Sequence, residues 1–581
     1  MRTYGHVDWG KGEYEISDMQ ETAKDRARRR MKEAAFFRVS CEPHVMMRLK
    51  RVFDGVYKGA HKTADIMESP QAARDLLWFL DRYPMTVSVD ARKRLWVRAG
   101  EYRDRLKVID EVFAGDYKPQ VHQLVKPLRD YQAIAVDLNL RSKGLLIADA
   151  AGLGKTIEGI ALASHKLPAL IVCYPHLMRQ WAEKFQEFLP WPRVKVLTVG
   201  RGTIEDLQKW RGKPCPLPEV VICNYEKLHG WADALAGWVK LVVFDECQEL
   251  RKNDSLKYAA AAMIAEMAEL RCGLSATPIY NYGSEIWNVT NVLNPGCLGS
   301  SEEFGREWCD GAWGDKAKIK EPKTFGTMMR EQGLMIRRTR KDVGREGPPS
   351  QIVVHKINVK KPANFEDLSK LARTILSESE HPYTKMRAAG EFDYKMRQQT
   401  GIAKAPHVAA FVRMLLQAKK KVLLYGWHHE VYDIWRRDLA EFEPVFYTGI
   451  ESTAKKGKTI EAFVRGSSRV MCASLRAGAG LDGLQEVCDT TVIGELDWSP
   501  GRHKQCIWRL DRDGQFNPEG VTAYYAITEW GSDPVIIDTL GVKAGQADGM
   551  LDPDAEMIEQ LQVDPEHMKK LARAYLERAK S

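Results

Sequence analysis

One stretch constrains this chain more than any other: LLIADAAGLGKTIEGIALA, Leu145–Ala163. An apolar run of strand character enters a turn of small residues, which delivers Gly154, Lys155 and Thr156 to the start of a segment with helical periodicity. Strand, small-residue turn and helix in that order make a phosphate-binding loop. A backbone that wraps phosphate oxygens needs residues without bulk, so that successive N–H groups converge at a helix N-terminus. The predicted nucleotide contacts are Asp149, Ala150, Ala151, Gly152, Leu153, Gly154, Lys155 and Thr156. Lys155 carries the point charge for the β and γ phosphates of ATP, and Thr156 offers a hydroxyl to Mg²⁺. Asp149 stands where the general pattern has Gly.

A second stretch, VVFDECQE at Val242–Glu249, fits the first. Its apolar run brings Asp245 and Glu246 together to a strand's carboxyl end, the edge at which open α/β sheets bind ligands. Asp245 is placed to hold the metal, and Glu246 to orient or deprotonate a water. Alone, either stretch reads equally well as a glycine turn or an exposed acidic pair. Their order and separation tie them to one site.

With 581 residues the chain has room for three or four domains, and 44% hydrophobic residues supply several cores. No apolar run is long enough to span a bilayer, and the start MRTYGHVDWGKGEYE lacks signal-peptide architecture. The expectation is a soluble intracellular protein of cytoplasm or nucleoid, or of host cytoplasm if viral, with no membrane partner. Eleven scattered cysteines without a CxxC pair read as reduced thiols and argue against zinc. A net charge of +9 has the sign that a polyanion requires.

Residues 1–118 read as a small α-rich accessory domain, with helices in HVMMRLKRVFDGVY, QAARDLLWFLDRYP and DARKRLWVRAGEYRDRLKVIDEVF. The basic run Lys24–Lys32 reads as the solvated face of a helical segment. Downstream, Gln132 precedes a helix just before the phosphate loop, where its amide can present an acceptor and a donor to adenine. Then ALIVCYPHLMRQWAEKF and VVICNYEKL repeat the strand–helix rhythm of a parallel sheet. CGLSATPIYN ends a further strand in Ser275, Ala276 and Thr277, small residues able to link the nucleotide state to another face of the domain.

DYQ, DAAGLGKT, DECQ and SATP, in this order and spacing, resemble the Q motif and motifs I, II and III of superfamily two helicases. RQWAEKF, ELRKNDSLKY and LMIRRTRKDV are similar to the Swi/Snf branch, which moves along double-stranded DNA. KVLLYGWHHEVYDIW and VMCASLRAGAGLDGLQEVCDTTVIGELDWSPGRHKQCIWRLDRDGQ resemble motifs IV, V and VI. GELDWSPG resembles most the annealing-helicase and fork-remodelling relatives. The resemblance covers about residues 125–530. Gln248 departs from the usual His, Cys247 from Ala, and Ala150–Ala151 from Glu-Met. In motif VI, Trp508, Asp511 and Asp513 replace a small residue, a His and an apolar residue.

The resemblance implies an α/β fold of two RecA-like parallel-sheet lobes in tandem, with the N-terminal accessory domain and helical insertions. Lobe one is placed at 119–294, insertions and linker at 295–395, lobe two at 396–545 and a helix-turn-helix tail at 546–581. It implies a DNA-stimulated ATPase using ATP and Mg²⁺, held by Thr156 and Asp245, with double-stranded or branched DNA as partner and a monomeric state. Lys155, Asp245 and Glu246 would act from one side of the cleft. Arg509 and Arg512, three apart and so on one helix face, would act from the other as arginine fingers. Gln248, Ser275, Ala276, Thr277 and Gln505 would couple hydrolysis to motion, and Arg337, Arg338, Arg476 and Trp498 would contact DNA. A strand-separating DNA or RNA helicase, or a nucleic-acid scaffold with a vestigial ATPase, remain open alternatives. Two further patterns are set aside. Gly457–Thr459 mimics a phosphate loop but has no apolar strand leading directly into it, and His428, His429 and Glu430 follow the KVLLYGW strand, where adjacent histidines in a strand point to opposite faces and share no metal.

Overall fold

The structure is a computed structural model. It describes residues 2–15, 31–53, 57–58, 63–210, 212–278, 284–310, 317–345, 350–359, 366–377, 381–451, 453–475, 483–512 and 514–537. The chain divides into two compact units, Met1–Lys118 and Pro119–Ser581. The tail expected at 546–581 lies outside the described residues, as do Arg476 and most of the basic run; Met31 and Lys32 at that run's end belong to a strand, not a helix.

The first unit contains the three expected helices, at Pro43–Val52, Pro70–Arg82 and Val89–Ala114. It also contains a five-stranded sheet that the helical reading omits, built on the antiparallel pair Gly5–Glu15 and Met31–Cys41. Val7, Phe37 and Val39 on this pair are fully buried against Leu49, Leu76 and Phe79 of the helices. The sheet is the surface that the amphipathic helices cover.

The second unit holds two all-parallel sheets. Lobe one has seven strands in the order Met335–Ile336, Gly144–Ile147, Leu270–Leu274, Leu241–Asp245, Ala169–Cys173, Val220–Asn224, Val194–Val196. Its central strands are buried along nearly their whole length, because helices lie on both faces, and they read as unbroken apolar runs for that reason. Register aligns Ile147 with Leu274 and Leu274 with Asp245. The phosphate loop, the Ser-Ala-Thr turn and the acidic pair therefore leave the same sheet edge at the same level.

Lobe two has six parallel strands in the order Gln351–Lys356, Thr522–Ile527, Thr490–Ile493, Val422–Gly426, Val470–Ser474, Val445–Tyr447. Trp435 is fully buried against its central strands and donates its indole N–H to the Ala405 carbonyl at 3.1 Å. The segment expected to be insertion and linker does more than connect: Met335–Ile336 is an edge strand of lobe one and Gln351–Lys356 an edge strand of lobe two. These two short strands carry no helix-strand rhythm of their own, and only pairing to a completed sheet defines them.

The second glycine-lysine-threonine lies inside the helix Thr453–Val464, so it forms no phosphate loop. His428 and His429 are not in a strand. His428 precedes the helix His429–Asp438, is buried, and pairs through Nδ1 with Glu495 at 2.6 Å. All eleven cysteines carry free thiols. Among the described residues there is no cluster of three or more metal-ligating side chains and no helix long and apolar enough to cross a membrane.

His503 of the helix Pro500–Ile507 is buried, and its Nε2 accepts the Asp497 N–H at 2.9 Å. Burial pushes this imidazole down to about 4 from an ordinary 6.5, against the pull of Asp497. The unfolded chain therefore binds a proton in this window that the folded chain refuses, and stability is lost as pH falls from 6.5 towards 4. Replacing His503 by Gln, which keeps an acceptor but cannot protonate, should remove up to about 3 kcal/mol of this acid sensitivity. Urea midpoints of wild type and variant at pH 7 and pH 4.5 measure it.

Candidate active site

The phosphate loop is shaped by two glycines with left-handed backbone, Gly152 and Gly154, both at φ 85°. A Cβ on Gly154 would come within 2.4 Å of Gln132 Nε2, and the left-handed backbone strains any side chain there. The helix Lys155–His165 starts immediately after. Lys155 Nζ donates to the carbonyls of Asp149 at 2.6 Å and Ala150 at 3.1 Å. Desolvation pulls this ammonium below the usual lysine range, while the charges of Asp149, Glu246 and Glu158 oppose the shift.

The loop is walled from behind by an ion-pair cluster that the sequence did not reveal. Asp149 is fully buried and accepts from the Arg338 backbone N–H at 2.9 Å and from its guanidinium through both carboxylate oxygens. The same guanidinium reaches Glu158 at 3.3 Å and the Tyr131 carbonyl. Burial, with Asp149 nearby, pushes the Glu158 carboxyl up to about 8. The backbone repeats the tie: Ala148 N–H bonds to the Ile336 carbonyl and Ala150 N–H to that of Arg338.

Four residues expected at DNA or adenine are engaged within the protein. Arg338, expected on DNA, is 13% exposed and fully engaged behind the loop, and Arg337 donates to the Ala148 carbonyl at 2.7 Å beside it. Both belong to the nucleotide side because their segment pairs with the strand that feeds the loop. Gln132, expected at adenine, is buried: its Oε1 accepts from Arg129 N–H at 3.1 Å and its Nε2 donates to the Leu153 carbonyl at 3.0 Å. Both ends of its amide serve the loop and the start of its own helix. Trp498, also expected on DNA, donates to Asp393 at 2.9 Å and packs against core residues of lobe two and the helices Glu366–Leu376 and Pro382–Ala418.

At the acidic pair, Trp181 Nε1 donates to Asp245 Oδ2 at 2.8 Å and the Tyr225 hydroxyl to the Asp245 carbonyl at 2.8 Å. Desolvation and the charge of Glu246 raise the Asp245 carboxyl to about 7, with Trp181 and Lys155 acting in the other direction. Glu246 is held at φ 54°, ψ 52°, a left-handed conformation costly for a residue with a side chain. Its carboxylate accepts from Nε2 of the buried Gln248. Asp245, with Glu246 beside it, and the Thr156 hydroxyl at the start of the loop helix are hard-oxygen donors, and their chemistry fits Mg²⁺.

Lobe two closes the site. Gln505 Nε2 donates to Thr277 Oγ1 at 2.9 Å, beside the Ser275 hydroxyl that accepts the Thr277 N–H at 3.0 Å. Ser275, Ala276 and Thr277 are buried at this contact. Arg512 Cβ lies 3.5 Å from the point a Cβ on Gly152 would occupy. Arg509 and Arg512 are not on one helix face, because the helix ends at Ile507 and both follow in the turn after it. The structure thus brings Arg512 against the loop. It leaves Arg509 with a buried Nε that has no hydrogen-bond partner, its charge felt by Tyr425 and Tyr447 of lobe two.

Fold and site together define a two-lobed, RecA-like enzyme that hydrolyses ATP. The chain belongs to the SNF2-related domain family, whose model matches residues 61–366. It is similar to SWI/SNF-related matrix-associated actin-dependent regulator of chromatin subfamily A-like protein 1 of Xenopus tropicalis, at 24% identity over 75% of this chain and 47% of that protein. It is also similar to the DNA annealing helicase and endonuclease ZRANB3 of Mus musculus, at 24% identity over 78% and 43%. The chain spans less than half the length of these two relatives. Among solved structures, the Sulfolobus solfataricus SWI2/SNF2 ATPase core in complex with dsDNA matches at 18% identity over 79% of this chain and 98% of that one, with a TM-score of 0.35.

Removing one partner of the buried Arg338–Asp149 pair leaves the other charge uncompensated. Arg338→Ala and Asp149→Ala should each cost about 3–5 kcal/mol of lobe-one stability, and the double variant less than their sum. Denaturant unfolding of the full chain checks this.

Proposed function

We propose that this chain couples ATP hydrolysis to movement along double-stranded DNA, remodelling DNA structures or displacing bound proteins. The observation that carries the reading is the meeting of the two lobes over one phosphate loop, through Gln505 on Thr277 and Arg512 against Gly152. Phosphoryl transfer to water needs positioning and cancellation of developing negative charge, and one lobe supplies only part of each. Lys155 and the loop amides bind the phosphates, with Gln132 bracing that loop. Thr156 and Asp245 would hold Mg²⁺, which neutralises phosphate charge when bound. Glu246 orients the attacking water and takes its proton, and Gln248 fixes the Glu246 carboxylate. Arg512, with Arg509, completes the charge cancellation from lobe two.

Hydrolysis then requires closure, and closure on ATP with opening on release is a population shift between lobe arrangements. If each lobe grips a sugar-phosphate backbone, that shift becomes a step. The net charge of +9 supports an anionic track, as do relatives whose names include a DNA annealing helicase and a DNA repair and recombination protein. Contacts to phosphate carry no sequence information, so binding should be sequence-independent and salt-sensitive.

Phosphate release measured with duplex DNA, single strands and RNA tests the reading. Duplex DNA should stimulate hydrolysis most, and Lys155→Ala and Glu246→Gln should each lower the stimulated rate by about a hundredfold or more. Displacement of a triplex strand without unwinding of a plain forked duplex is the expected mechanical result. Unwinding of the fork favours a strand separator, and cellular activity that survives both substitutions favours a scaffold.

A further inference from the structure

Arg340 and Asp511 meet across the cleft, at a point the proposed chemistry does not use. Arg340 follows the lobe-one edge strand, and Asp511 follows the helix Pro500–Ile507 of lobe two. Arg340 Nη1 donates to Asp511 Oδ1 at 2.5 Å, and Nη2 donates to the Asp511 carbonyl. The other carboxylate oxygen accepts from the Ser350 hydroxyl at 2.7 Å, and Ser350 immediately precedes the lobe-two edge strand Gln351–Lys356. Both carboxylate oxygens and the backbone carbonyl of one residue are thereby engaged.

The neighbour of Asp511 is Arg512. The point above Gly152 that a Cβ would fill is 3.5 Å from Arg512 Cβ and 3.5 Å from Arg340 Nη2. Arg340 is itself anchored, because Arg338 two residues earlier is bonded to Asp149 of the phosphate loop. A closed circuit results: from the loop at Asp149, through Arg338 and Arg340, to Asp511 and Arg512, and back to the loop at Gly152. Position 511 is also where the motif pattern has a His, so this chain carries an acid at the position that Arg340 meets.

We propose that Arg340 and Asp511 are positioning residues: by gripping both the side chain and the carbonyl of Asp511, Arg340 sets Arg512 over the phosphate loop when the lobes close. The inference rests on the ATPase reading above. An isolated surface ion pair does little of this kind, because two long solvated side chains are costly to hold in one geometry. Here the side chains are only 18% and 23% exposed, and a planar guanidinium fork holds two acceptors of one residue. Fixing the 511 carbonyl fixes the peptide that carries Arg512. An arginine acting on developing charge loses most of its effect when displaced by about an ångström.

The test uses the full chain and Arg340→Ala, Asp511→Ala, their double variant and Arg340→Lys. Two readouts are duplex-stimulated ATP hydrolysis and nucleotide-free hydrogen–deuterium exchange. Each alanine variant should lower kcat about tenfold while KM for ATP moves less than about threefold, because the lost interaction acts on the transition state. The double variant should be no worse than the poorer single, since the two residues act as one unit. Arg340→Lys, which keeps the charge without the fork, should fall between wild type and Arg340→Ala. Amides of residues 508–512 should exchange faster in both single alanine variants, with strands Gly144–Ile147 and Val422–Gly426 unchanged. An unaltered kcat, multiplied effects in the double variant, or acceleration spread through both sheets would overturn the proposal. If the wild type hydrolyses no ATP, the ATPase reading fails and the exchange result stands alone: unchanged exchange at 508–512 in Asp511→Ala then overturns the pairing as well.

Discussion

Arg338 on Asp149 is the contact that everything at the nucleotide edge leans on. A phosphate loop works by holding backbone N–H groups open towards an anion, and a carboxylate at its first position is a competing anion inside the loop. The guanidinium resolves this by drawing the carboxylate back into the lobe and tying it there. Burying such a pair carries a desolvation cost, and the backbone bonds on either side of Arg338 offset part of it. The same bonds carry the chain from the loop wall to the mouth of the cleft.

At that mouth the charges are arranged against themselves. Lys155 is pulled towards neutrality by desolvation, while Asp245 and Glu158 are pushed the same way from the other side. A low-dielectric pocket holding groups that resist their charged forms gains from an incoming polyanion with its cation, since each supplies the charge that the resident group lacks. Glu246 adds backbone strain at the position where a water would be oriented. Among the described residues lobe two contributes no strand to this sheet, yet its turn after Ile507 reaches the loop and its Gln505 reaches Thr277. The cleft is therefore a property of the pair of lobes.

Much of this was legible along the chain, and the misreadings have identifiable causes. The central strands were visible because strands buried on both faces are apolar throughout. The N-terminal sheet was not, because its first strand, Gly5–Glu15, mixes glycine and charge with few apolar positions, and its antiparallel register pairs residues as far apart as Gly5 and Cys41. Arg337 and Arg338 were assigned to DNA by motif resemblance, which carries no information on which way a side chain turns. Gln132 was placed near adenine for its chemistry, and its bonds to the loop and to the start of its own helix were not visible in its spacing. Trp181 and Glu158 sat in plain helical patterns, and nothing in their spacing distinguished them from ordinary core positions.

By itself the sequence determined the local geometry: a strand, a glycine turn and a helix start that must cradle phosphate, and an acidic pair that must stand at a strand's end. These depend on residues a few positions apart, whose backbone preferences act before any fold exists. Only the tertiary structure decided which distant groups complete the site. Arg338 meets Asp149 across 189 residues, Asp511 meets Arg340 across 171, and Gln505 meets Thr277 across 228. No local preference encodes such separations: the first is set when the lobe-one sheet gains its edge strand, and the other two when the lobes meet.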